Sequence, residues 1–202
     1  MCKIKICGLR RLEDVDYINE AHPDYAGVIL ADPEKFHRAI SRRQALAIRE
    51  RLNPSIPLVG VFVNNSFTEV ESYLMDDVID IAQLHGRESN EFAVSLSFNC
   101  RKPIFKAFQI HSPEDVERAI RSRADQVLLD SGAGSGKTFD WSIVSDVRRP
   151  FLLAGGLNPD NLAQAIAQTH PWAVDLSSGV ETDGVKDREK ILKAVEIAHS
   201  HW

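Results

Sequence analysis

Five positions with chemistry to offer each close a short apolar run: Cys7, His85, Asp130, Gly155-Gly156 and Ser177-Ser178-Gly179. Cys7 follows Ile6 and is flanked by Lys5 and Gly8. A thiol acts as base or nucleophile once its pKa is lowered, which nearby positive charge can do; the other reading is a small buried residue. Asp130 ends Val-Leu-Leu-Asp, so it is either an acid/base group or a cap on the loop that follows. His85, in Gln83-Leu84-His85-Gly86, either lines a site or closes a turn. The Gly-Gly and Ser-Ser-Gly turns lie about 20 residues apart, with Asn158-Pro159 between them. Small residues there expose backbone N–H groups and admit close approach, which suits a phosphate held by amides. Asp175 sits inside the last apolar run, where a charge is costly unless it is paired or faces a ligand. Arg38, in a polar loop, is either a contact for an anionic group or a solvated surface charge.

The stretch Ser131-Gly-Ala-Gly-Ser-Gly-Lys137-Thr138 nearly matches a nucleotide-binding P-loop. It fails at the first position, where Ser131 stands in place of glycine, and Phe139-Asp140-Trp141 replaces the long helix such a loop needs. The expectation is instead a glycine-rich lid beside Asp130, able to close and exclude water.

Strands must carry these turns. Alternation and apolar runs predict them over 3–6, 25–30, 58–63, 79–84, 104–108, 126–129, 151–154 and 173–176. Helical spacing predicts helices over 12–21, 42–52, 66–74, 89–96, from Ser112 to about Arg121, over 141–147, from Asn158, and over 186–201. Ser66 with Glu69 forms a capping box, and Asn158-Pro159 reads as N-cap and first helical residue. Strands alternating with helices mean a parallel sheet. Eight such units close into a (β/α)8 (TIM) barrel of one compact α/β domain spanning residues 1–202. In that fold the chemistry sits at the carboxyl ends of the strands, and phosphate is held by the loops after the last two. A doubly wound open sheet is the competing architecture; it leaves two phosphate-type turns at the end of the chain unexplained.

Composition agrees with one globular domain: 202 residues, 44% hydrophobic and 26% charged, with a net charge of −5. No Lys/Arg block marks a nucleic-acid surface. No stretch approaches the ~18 apolar residues of a membrane span, and the N-terminus does not read as a signal peptide. Three cysteines without a CxxC pair read as reduced thiols in a cytoplasmic protein.

Taken together, KICGL (5–9), QLHG (83–86), LLDS with GSGKTFDW (128–141), AGGLNPDN (154–161) and VDLSSGVE with GVKD (174–187) resemble the phosphoribosylanthranilate isomerases of tryptophan biosynthesis. These matches span almost the whole chain in the family's order. The resemblance implies a small barrel without metal or organic cofactor, a monomer or homodimer, acting on a small phosphorylated substrate. It implies an Amadori rearrangement with Asp130 as general acid and Cys7, as thiolate, as general base, on opposite sides of the barrel mouth. Gly155, Gly156, Ser178 and Gly179 would hold the phosphate. Arg38 would lie near the anthranilate carboxylate, and Asp175 and His85 would line the pocket. One departure is the second loop, where Glu34-Lys35-Phe36-His37-Arg38 replaces the family's Ser-x-Arg segment. Two rivals remain. Another phosphosugar enzyme on the same barrel, such as an indole-glycerol-phosphate synthase, is disfavoured because no catalytic lysine is expected in the strand interiors. A silent barrel that binds a phosphorylated metabolite is opposed by Cys7 and Asp130.

Overall fold

A computed structural model describes residues 1–131 and 140–200. In chain order the elements are β1 (Lys3–Ile6), α1 (Leu12–Ala21), β2 (Tyr25–Ile29), α2 (Arg42–Arg51), β3 (Leu58–Phe62), α3 (Phe67–Met75), β4 (Ile81–Leu84) and α4 (Asn90–Cys100). They continue with β5 (Ile104–Gln109), α5 (Pro113–Ile120), β6 (Gln126–Asp130), β7 (Phe151–Ala154), α6 (Leu162–Thr169), β8 (Ala173–Leu176) and α7 (Arg188–Ser200). The eight strands form a closed barrel in sequence order. Every neighbouring pair is parallel, including the seam where Lys3, Lys5 and Ile6 of β1 face Ala173, Asp175 and Leu176 of β8.

Strands covered on both faces need apolar residues on both, and all five residues of β3 are buried. The period of two then sorts them. Val59, Ile81, Phe105, Leu128, Leu152 and Ala173 pack together inside the barrel. Ile4, Ile6, Val28, Phe62, Leu129 and Val174 belong to the larger core shared with the helices. Helix starts follow their caps: Ser41 and Gln44 make a reciprocal box, Ser112 and Asp115 another, and the Ser89 hydroxyl accepts from the Phe92 N–H. At the amino ends of the strands, carboxylates accept the backbone N–H that the ladder leaves over. Asp24 takes Ile4, Asp80 takes Leu58 and Asp125 takes Ile104. This face ties the barrel shut while the other is left for the site.

Several expectations are corrected. The helix predicted from Asn158 begins at Leu162. Asn158 Oδ1 instead accepts from the N–H groups of Asp160 and Asn161 in a turn, and Asn161 is the cap residue. The helix predicted over 141–147 is a 3-10 turn, Trp141–Val144. α4 runs on to Cys100, past the predicted end. Of the predicted box at Ser66, the structure makes the half in which Ser66 accepts from the Glu69 N–H. A hairpin of two short strands, β9 (Glu181–Thr182) and β10 (Val185–Lys186), precedes α7 and was not predicted. Of the glycine-rich lid after Asp130, residues 132–139 lie outside the described residues. Among the described residues, no helix is long and apolar enough to cross a membrane.

Candidate active site

All nine sequence-predicted residues meet at one cavity of about 290 Å³ at the carboxyl end of the barrel. Cys7, Arg38, His85, Asp130, Gly155, Gly156, Asp175, Ser178 and Gly179 line it, with Phe36, Gln83 and Gln109 among the others.

Its floor is an ion pair. Lys5 points inward from β1 and is fully buried. Its Nζ lies 2.9 Å from both carboxylate oxygens of Asp175. The charge inside β8 is therefore paired, one of the two conditions the sequence set. Burial works to lower the Lys5 pKa, but the charges of Asp175 and Cys7 outweigh it and raise the ammonium above the lysine range.

Cys7 follows β1 two positions beyond Lys5 and so shares its face. Gly27 leaves room for it, since a Cβ there would sit 2.9 Å from Cys7 Sγ and 3.0 Å from Lys5 Cε. The expected lowering of the Cys7 pKa is corrected. Burial raises it and wins, although the charge and hydrogen bond of Lys5, and the charge of Lys186, pull the other way. Cys7 is thus a thiol beside the buried Lys5 and Lys186 side chains.

Asp130 ends β6, is nearly buried, and has its Oδ2 3.2 Å from His85 Nε2. His85 thus does more than close a turn. Its Nδ1 lies 3.3 Å from Gln83 Nε2. β1 and β6 are separated by β8 and β7 around the barrel. Cys7 and Asp130 therefore flank the sector that carries the two glycine turns.

That sector has the form of an anion cradle. Gly155 and Gly156 have φ of 92° and 65°, values that favour glycine. A Cβ on Gly155 would lie 2.0 Å from Ser131 Oγ, and one on Gly179 would lie 1.8 Å from the Leu157 carbonyl oxygen. The loops after β7 and β8 thus interlock with no room for side chains. Among the described residues the N–H groups of Gly156, Ser178 and Gly179 have no hydrogen-bond acceptor. Unspent backbone donors lining one cavity are what a phosphate can use.

Arg38 reaches the cavity rim, where its Nη2 lies 3.0 Å from Glu181 Oε2. The other oxygen of Glu181 lies 2.9 Å from Lys186 Nζ, which also donates to the Ser177 carbonyl. Burial pulls the Lys186 ammonium below the lysine range, against the opposing effect of Glu181. Lys5 in β1 and Lys106 in β5 are buried lysines within strands. Each is committed to a carboxylate, Asp175 and Glu88 respectively. Lys5, Gln83, Glu181 and Lys186 were missed. Alternation placed Lys5 on the Cys7 face, a usable signal, whereas the others depend on contacts between distant loops or strands. Among the described residues no group of His, Cys, Asp and Glu could hold a metal ion.

A thiol and a carboxyl thus flank two glycine turns at the carboxyl face of a (β/α)8 barrel. Comparison with known proteins is more specific. Residues 4–197 match the family described as N-(5'phosphoribosyl)anthranilate (PRA) isomerase. A relative from Endomicrobium trichonymphae with that isomerase name is 43% identical over 205 residues, covering 99% of this chain and 100% of its own. The crystal structure of phosphoribosyl anthranilate isomerase from Thermotoga maritima superposes with a TM-score of 0.87 at 37% identity, covering 99% of this chain and 100% of that one. A phosphoribosyl anthranilate isomerase in complex with reduced 1-(o-carboxyphenylamino)-1-deoxyribulose 5-phosphate has a TM-score of 0.84 at 35% identity, over 99% of this chain and 100% of that one. The chain belongs to the phosphoribosylanthranilate isomerase family.

Proposed function

We propose that this protein isomerises N-(5-phosphoribosyl)anthranilate to 1-(2-carboxyphenylamino)-1-deoxyribulose 5-phosphate, the Amadori step of tryptophan biosynthesis, in the cytoplasm. The observation that carries this reading is the placement of two different proton-transfer groups, Cys7 and Asp130, on either side of free backbone N–H donors in one cavity.

The phosphate binds the N–H groups of Gly156, Ser178 and Gly179, with Gly155 shaping the turn. Anchored there, the ribose lies between β1 and β6. Asp130 protonates the furanose ring oxygen; the C1–O bond breaks and the nitrogen lone pair forms a C1=N iminium. That cation acidifies the C2–H bond and favours a thiolate nearby, against the burial that favours the Cys7 thiol. Cys7, its thiol proton first released to solvent, takes the C2 proton; the C2–H bond electrons form the C1=C2 bond and the C1=N π pair returns to nitrogen, giving an enolamine. A proton added at C1, with loss of the C2 hydroxyl proton, gives the ketone. Acid and base of different chemical type let one site run both transfers. Arg38 meets the anthranilate carboxylate at the rim, and Lys5–Asp175 closes the floor.

The test is to add freshly made phosphoribosylanthranilate to the purified protein and follow the change in anthranilate-type fluorescence. Consumption at an enzymatic rate supports the reading. Tight binding of product without consumption would favour the silent phosphometabolite binder.

A further inference from the structure

Gln83 stands behind the proposed acid. It lies on β4, lines the cavity, and is 1% exposed. Its Nε2 is 3.3 Å from His85 Nδ1, and His85 Nε2 is 3.2 Å from Asp130 Oδ2. Its Oε1 is buried and, among the described residues, has no hydrogen-bond partner. The three side chains form a line with an unspent acceptor at the far end.

Donor chemistry sets the direction of that line. An amide nitrogen has only hydrogens to give, so the Nδ1 facing it must present a lone pair. A neutral imidazole with its lone pair on Nδ1 carries its hydrogen on Nε2, and that hydrogen faces Asp130 Oδ2. The amide turned over would pair its orphaned oxygen with an Nδ1–H. The Nε2 lone pair would then face Oδ2, which suits Asp130 only if the acid proton sits on the oxygen turned toward His85.

We propose that Gln83 is a positioning residue for the isomerisation: it holds His85 as the Nε2–H tautomer, which occupies Oδ2 of Asp130 and leaves Oδ1 to carry the acid proton to the substrate. This rests on the reading of Asp130 as general acid. A hydrogen bond to an ionised carboxylate is stronger than one to a neutral carboxyl. The His85 bond therefore tightens as Asp130 releases its proton, and it favours the transition state over the ground state. The unpaired Oε1 is the counterpart of this orientation, a buried polar atom left over so that the nitrogen can face His85.

The tautomer is read directly by 15N NMR of the imidazole in the substrate-free protein. The expected result is Nε2–H in the wild type, and a hydrogen on Nδ1 in Gln83→Glu, because a carboxylate can only accept. Kinetically, Gln83→Leu should lower kcat about tenfold with little change in KM. In a His85→Ala background the same substitution should change kcat by less than about twofold, since Gln83 acts only through His85. An Nδ1–H tautomer in the wild type, or an equal loss in both backgrounds, overturns the proposal. Failure of the isomerase reading is separable. A wild type with no turnover but an Nε2–H histidine sinks that reading and leaves the orientation of Asp130 by Gln83 standing.

Discussion

Replacing Lys5 by methionine tests whether the cavity floor is an ion pair that the barrel cannot leave half made. Lys5 is fully buried, the side chain of Asp175 is 9% exposed, and both carboxylate oxygens lie 2.9 Å from Nζ. Removing one partner of a buried pair leaves an uncompensated charge and costs about 3–5 kcal/mol. Against a total stability of roughly 5–15 kcal/mol, that is a third or more of what a domain has. Methionine follows the lysine stem closely, so the cavity contribution stays small. The control is Lys5→Met with Asp175→Leu. With no lone charge, this double variant should recover to within about 1 kcal/mol of wild type, because an apolar pair of similar volume replaces a buried ion pair at little net cost. Urea unfolding followed by fluorescence and far-ultraviolet dichroism reads both, with the slope m expected to stay constant. Loss of less than about 1 kcal/mol in Lys5→Met, or a double variant as unstable as the single, would refute the reasoning.

Other consequences follow from the same geometry. Cys7→Ser and Asp130→Asn should each lower turnover by at least about 10²-fold while product binding, measured by fluorescence titration, persists. Gly179→Ala drives a Cβ into the Leu157 carbonyl oxygen, at 1.8 Å. The interlocked loops must separate, and product affinity should fall by up to about 10²-fold. Arg38→Met removes a hydrogen bond to a charged group worth about 1.5–3 kcal/mol, so KM should rise roughly 10- to 100-fold with kcat little changed. Stability should decline as pH rises above about 9. Burial pushes the Cys2 thiol from 9.0 to about 12 and raises Cys7. Lys5 is raised despite its burial, through Asp175 and Cys7. Each of these groups keeps its proton in the folded state while the unfolded chain loses it, so each contributes loss above its unfolded value, at about 1.4 kcal/mol per pH unit. Tyr25 and Tyr73, raised by burial, add to this from about pH 10, and Lys186, lowered by burial, opposes it. Cys2→Ala should flatten the alkaline limb of urea-midpoint measurements; an unchanged limb would count against the Cys2 contribution.

How far the sequence revealed the site depends on how local each cause is. The strands were legible because burial on two faces writes continuous apolar runs, and a run must stop where its turn begins. Asp130 and the glycine turns are stops of that kind. Asn158 shows the limit of capping chemistry. Its side chain does accept backbone N–H groups, but of Asp160 and Asn161. The same hydrogen-bonding habit builds a turn one step before the helix. The hairpin of Glu181–Thr182 and Val185–Lys186 has two-residue strands, too short for a period to register. Arg38, Glu181 and Lys186 meet through it, so their network was invisible. The burial that keeps Cys7 protonated was equally hidden, since a neighbouring lysine in the sequence says nothing of how much water is excluded.

Asp175 is the case in which the sequence posed the question and only closure could answer it. A carboxylate within an apolar strand demanded a partner or a ligand, and its partner is 170 residues away at the other end of the chain. The register that pairs Lys5 with Asp175 belongs to the β1–β8 seam, the last ladder that turns eight strands into a barrel. Shifting that seam by one residue would turn Lys5 toward the helices and leave Asp175 unpaired. The ion pair therefore penalises every wrong closure while it sets two charges beneath Cys7. The contact that selects the register of the fold also lays the floor of the site.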